Sequence, residues 1–371
     1  PRGVACTSSS DHVSALFLDN NGLTGTLPEE LYKLTTLKII NLDFNQIHGP
    51  MPTQGFSDIN HLEHLSLSHN TLTGKLPSDI PAMVQLRTLD FSNNFITGHL
   101  PLDLPNMPKL KAFAVDNNAL EGDINRVIGN YSLEALYLHG NNFDTKLDET
   151  FSQGMTSLKQ LDISNNNITG SIPEHLLVMS SLEVLYLHGN DITGQIPHVP
   201  VNDVPEDFNY PLRYLTLHDN KLSGPISENL NKLTNLQHLD VAANTLTSTI
   251  PDLSGLTKLT HLVLAVNDFT PGTIPSTMMA LTHLQALSLK STQRTGVIPS
   301  DMSALSKLIL LILEYNQLGG SIPDSFGGLS DIQALLLNDN ELTGTVPSPQ
   351  LEDLLNLRLL FLNHNKLTGS L

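Results

Sequence analysis

Fifteen times along the chain, a set of spaced leucines ends on one polar residue, nearly always asparagine. The series is Asn21, Asn45, Asn70, Asn94, Asn118, Asn141, Asn166, Asn190, Asn220, Asn244, Asn267, Thr292, Asn316, Asn340 and Asn365, with a mean step of about 24.6 residues. The least altered copy, residues 158–173, reads LKQLDISNNNITGSIP. Alternation in its first half predicts a short strand with Leu158, Leu161 and Ile163 turned inward. Asn166 follows at a turn, where its amide can bond backbone groups of its own coil and the next. A Thr-Gly-x-Ile-Pro tail then turns the chain away, with proline fixing φ and removing a donor. One such unit cannot bury its own apolar face, so it requires stacked copies of itself. The expected fold is an α/β repeat solenoid: a right-handed superhelix of about 15 coils of about 24 residues. A parallel sheet roughly 70 Å long would line its concave face. Short 3-10 or irregular turns would form the convex face.

Length alone would suggest two or three domains for 371 residues, but a solenoid grows lengthwise and needs no second core. The expected organisation is 1–12 as the end of an N-terminal cap and 13–371 as the repeats, stopping in mid-repeat. The chain begins at Pro1 without methionine and reads as a piece of a longer protein. One step, from Asn190 to Asn220, is about six residues too long, which predicts an extended loop at about 198–211. A net charge of −18 without a Lys/Arg run argues against nucleic acid. No apolar stretch is long enough to span a bilayer, so no membrane contact is expected within this segment.

The single cysteine, Cys6, supports no disulfide framework; it is either a free thiol or half of a bridge to a residue before Pro1. Two sequons, at Asn130 and Asn167, lean toward a glycosylated, secreted context.

The unit LxxLxLxxNxLTGxIP resembles the plant-type leucine-rich repeat of receptor-kinase ectodomains, receptor-like proteins and polygalacturonase inhibitors, also found in related algal proteins. Residues Gly3-Val4-Ala5-Cys6, followed by Val13-Ser14-Ala15-Leu16, are similar to the end of that family's N-terminal cap. There the corresponding cysteine pairs with an upstream one, which implies a cap disulfide for Cys6. The resemblance implies an extracellular or cell-surface location. The family's peptide receptors often carry two arginines on the inner face near the end; the last four coils offer none in that arrangement.

No phosphate-binding glycine loop, G-x-S-x-G elbow, H-E-x-x-H or kinase signature occurs, so no enzyme, cofactor or metal is expected. Function is expected instead on outward strand residues, which lie six, four, two and one before each ladder residue. Three zones emerge. The first coils are acidic, with Asp19, Asp43, Asp90 and Asp116 among Ser66, Ser68 and Ser92, and read as a solvated face. The middle carries Tyr137, His139, Tyr186, His188, Tyr214, His218, His238, Asp240 and His261, side chains suited to holding a protein or peptide, or carbohydrate. His188 and His218 occupy equivalent places on successive strands and could approach one metal ion, though two histidines are short of a ligand set.

The last coils present Leu310, Ile312, Leu336, Leu359 and Phe361 with Tyr315, an apolar patch expected to be a protein interface or a self-association surface. At the ladder gap, Thr292, the neighbours Lys290 and Arg294 make the coil unusually basic and predict a local irregularity. The chain therefore reads as an extracellular recognition module, either an ectodomain or a secreted binder. The alternative is a surface-coat, adhesion or filament protein that uses the repeats as an assembly scaffold.

Overall fold

The computed structural model describes all residues except 1–3, 7–11, 53–54, 128, 130–131, 152–153, 200–207 and 370–371. Contacts divide it into two units: 1–173 with 184–191, and 174–183 with 192–371.

In the first unit, the strand Val4–Cys6 pairs antiparallel with Val13–Phe17. The strands Ile39–Asn41, His64–Ser66, Thr88–Asp90, Ala112–Ala114, Ala135–Tyr137, Gln160–Asp162 and Val184–Tyr186 then follow in parallel and in chain order. The second unit stacks Tyr214–Thr216, His238–Asp240, His261–Val263, Ala286–Ser288, Leu310–Ile312, Ala334–Leu336 and Leu359–Phe361 in the same way. Register is set by the pattern: each central leucine pairs with the next, as Leu136 with Leu161 and Leu311 with Leu335. A slip of one residue would turn every leucine into water. Leu161, Leu185, Leu239 and Leu311 are fully buried.

The ladder works as its chemistry requires. Asn166 Nδ2 donates to Leu138 O, Ile163 O and Ser164 O at 3.0–3.2 Å, and Oδ1 accepts from Phe143 N at 3.0 Å. A buried amide is tolerated because its nitrogen and oxygen both bond backbone groups that would otherwise be orphaned. Thr292 keeps only part of this role, its Oγ1 donating to Leu289 O at 2.6 Å.

On the far side, 3-10 turns such as Glu29–Lys33, Ser276–Ala280 and Asp324–Gly328 each follow a proline. Two coils without that proline use a side chain instead. Ser227 Oγ accepts from Asn229 N at 3.2 Å, and Asp148 Oδ1 accepts from Thr150 N at 2.8 Å. Most of the long step between Asn190 and Asn220, residues 200–207, lies outside the described residues; Val199 and Tyr210 on either side are buried.

Candidate functional site

The outward strand face differs between the two units. In the first, Asp19 is exposed as expected of a solvated row, whereas Asp43 and Asp90 are half-buried. Asp116, Ser68 and Ser92 are buried. Ser92 Oγ donates to Asp90 Oδ1 at 2.7 Å, and Ser66 Oγ to Asp43 Oδ1 at 2.6 Å. Burial pushes the Asp90 and Asp116 carboxyls above the usual carboxylate range. A serine hydroxyl covers Asp43 and Asp90, while Asn117 Nδ2 donates to Asp116 Oδ2 at 3.1 Å.

His139 lies at the end of this row, between two carboxylates. Its Nδ1 is 3.2 Å from Asp162 Oδ2 and its Nε2 is 3.5 Å from Asp116 Oδ2. The Nδ1 contact has ion-pair length, although its angle is outside that of a well-aligned hydrogen bond. Bonding to Asp162 raises the His139 pKa against the opposing effect of burial. Burial works to raise Asp162, but its bonds to His139 and Ser164 outweigh that and hold its carboxyl below the usual range. Tyr137 OH donates to Gln160 Oε1, and burial raises the phenol's pKa. Tyr186 and His188 meet edge to face with ring centroids 6.1 Å apart.

In the second unit, Tyr214, His238 and His261 share one column on neighbouring strands. Centroid distances are 6.4 Å from Tyr214 to His238 and 5.0 Å from His238 to His261, with near-parallel planes in both pairs. Burial, then the neighbouring His261, lowers the His238 pKa, so its ring stays neutral over a wider pH range. His218 Nδ1 is 2.7 Å from Asp219 Oδ2. Asp240 turns back on its own strand and accepts from Ala242 N at 3.0 Å. Among the described residues, no three His, Cys, Asp or Glu side chains converge as metal ligands would.

Leu310, Ile312 and Leu336 are half-buried on adjacent strands, while Leu359, Phe361 and Tyr315 are exposed.

The basic coil is corrected. Lys290 Nζ pairs with Glu314 Oε1 at 2.6 Å and lies 5.1 Å from the Tyr315 ring centroid. Arg294 is 2% exposed, and its guanidinium donates to Thr292 O, Thr270 O and Thr273 O. It is tied to backbone carbonyls beside the ladder gap rather than presenting charge to a ligand. Burial lowers its pKa.

One set of residues was missed. The position just before each ladder residue is left-handed throughout, which suits Asn20, Asn93, Asn117, Asn165, Gly140 and Gly189. Phe44, Val266 and Tyr315 hold the same conformation at φ 53°, 54° and 57° with exposed side chains. Phenylalanine, valine and tyrosine in a column otherwise filled by asparagine, glycine, aspartate, histidine, serine and alanine were the available signal. Asn167 is exposed, whereas Asn130 and the side chain of Cys6 lie outside the described residues.

Comparison with known proteins matches this geometry. Models described as leucine rich repeat match residues 11–72 and 131–192, and further single repeats match at 85–107, 211–233 and 307–329. Receptor-like protein 35 of Arabidopsis thaliana is 33% identical over 140 residues, 37% of this chain and 14% of that protein. A TDR receptor structure superposes with a TM-score of 0.84 at 28% identity, covering 97% of this chain and 65% of that one. The plant peptide hormone receptor RGFR1, solved with RGF2, gives a TM-score of 0.69 at 25% identity, covering 100% of this chain and 72% of that one. The chain thus spans only a small part of the curated relative and up to about three-quarters of these solved chains. No helix among the described residues is long and apolar enough to cross a membrane. The matched regions are repeat modules. With its ladder, parallel strands and repeat tails, the chain belongs to the plant-type leucine-rich-repeat family.

Proposed function

We propose that this repeat module is an extracellular recognition domain, part of an ectodomain or a secreted binder, that takes a protein or peptide on the outward face of its strands. The observation that carries the proposal is the ring column Tyr214, His238 and His261 in the second unit. Neighbouring strands hold these rings in near-parallel planes. Little side-chain freedom is left to lose on binding, and each ring offers both a flat apolar face and a polar edge. The neutral state of His238 suits contact with a peptide without desolvating a charge. RGFR1, a peptide hormone receptor by its description, supports the same class of partner. Asn167, exposed within its sequon, supports passage through the secretory pathway.

A peptide-display selection on the folded chain tests this. It should enrich sequences that fail to bind the Tyr214→Ala/His238→Ala variant; enrichment indifferent to that variant overturns the proposal.

A second reading rests on a different observation. Leu310, Ile312, Leu336, Leu359 and Phe361 form a contiguous apolar surface of the kind that marks protein contacts. It serves either a protein partner or a second copy of the chain, and sedimentation at rising concentration distinguishes the two.

A further inference from the structure

A cleft of about 400 Å³ opens beside the ladder of the second unit, at the coil where the ladder is broken. Val266 and Tyr315 wall it, with Ser291 between them. All three backbones are left-handed, and so is that of Gln293, on the other side of Thr292. Strands two steps apart are about 10 Å apart, so the small Ser291 between two large neighbours leaves room for roughly one flat ring. A β-branched or aromatic residue in this conformation is strained, by about 1–3 kcal/mol in general, and such strain concentrates where a surface is used.

The lining decides the ligand class. Asp268, Gln293 and Gln317 bring a carboxylate and two amides to the rim, and none of these side-chain groups is engaged within the protein among the described residues. Lys290, 5.1 Å from the Tyr315 ring, is paired with Glu314, and Arg294 is buried, so among the described residues no unpaired cation lines the cleft to receive a phosphate, sulfate or uronate. Free acceptors and amides around an aromatic wall suit a ligand that is rich in hydroxyls, uncharged, and apolar on the faces of its ring.

We propose that this cleft is a binding site for a neutral oligosaccharide. The site lies on the edge of the strands, apart from the ring column, and does not depend on the peptide reading. Tyr315 stacks on one sugar ring, Val266 closes the opposite side, and Asp268 with the two glutamines binds hydroxyls.

The test is calorimetric titration of the whole chain with neutral tetrasaccharides of β-1,4-linked glucose, xylose, mannose and N-acetylglucosamine, with tetragalacturonate as the charged counterpart. At least one neutral sugar should bind. Tyr315→Asn and Ser291→Phe should each weaken it at least about tenfold. Both variants are expected to fold, because Asn93 and Phe44 already occupy the equivalent place in other coils. Absence of binding by every neutral sugar overturns the proposal. So does binding unchanged in both variants, or tetragalacturonate binding as well as the best neutral sugar.

Discussion

The imidazole of His139 and the carboxylate of Asp162 sit 3.2 Å apart on adjacent strands of the first unit, with His139 raised and Asp162 lowered in pKa. A raised histidine stabilises the fold fully below its unfolded value of about 6.5, and that contribution is lost as pH rises through the folded value. A lowered aspartate contributes above about 3.9 and loses its share as pH falls through its folded value. The pair is therefore strongest in the mildly acidic window between the two. Asp90 and Asp116, both raised, work in the opposite sense to Asp162, because their protonation favours the folded state.

Replacing His139 by glutamine should consequently cost more at about pH 5.5 than at about pH 8.5, by about 1 kcal/mol. Urea unfolding of both proteins at the two pH values measures it. A cost equal at both would show that the contact is not charged.

Arg294→Ala should destabilise the second unit by about 2–4 kcal/mol, because the buried Thr292 carbonyl and the partly buried Thr270 and Thr273 carbonyls lose their donor. Arg294→Lys should rescue little, since an ammonium cannot reproduce the planar fork. Thermal unfolding of the two variants is sufficient to test this, and full rescue by lysine would refute the fork's role.

At Val266, asparagine should raise stability by about 1 kcal/mol, since φ 54° is far less strained for it than for a β-branched side chain. A lower unfolding midpoint in urea would mean that the valine side chain contributes packing which outweighs the backbone strain.

The paired change Ile312→Asp/Leu336→Asp should leave the fold intact, because both side chains are only half-buried, and abolish association through the apolar patch. Analytical ultracentrifugation and partner binding report this together; an unchanged sedimentation profile and unchanged partner affinity would remove the patch as an interface.

The ladder and strand register were legible because inward residues such as Leu161 and Asn166 answer to one constraint repeated fifteen times. Outward residues answer to neighbours about 24 positions away, and there the sequence was less informative. Asp90 and Asp116 look solvated until stacking buries them and brings acids of neighbouring coils around them. Arg294 looks like surface charge until stacking places the Thr270 and Thr273 carbonyls of the preceding coil within its reach. The strain at Phe44, Val266 and Tyr315 was readable in principle, since most of the same column elsewhere holds asparagine, glycine or aspartate. Tyr214, His238 and His261 were singled out correctly as outward, but their stacking required the fold.

Recognition through that ring column is tested most directly by calorimetry of a display-selected peptide against the wild-type chain and the Tyr214→Ala/His238→Ala variant. The account predicts affinity at least about tenfold weaker in the variant, with an unchanged unfolding midpoint. Equal affinity for the two proteins would contradict it.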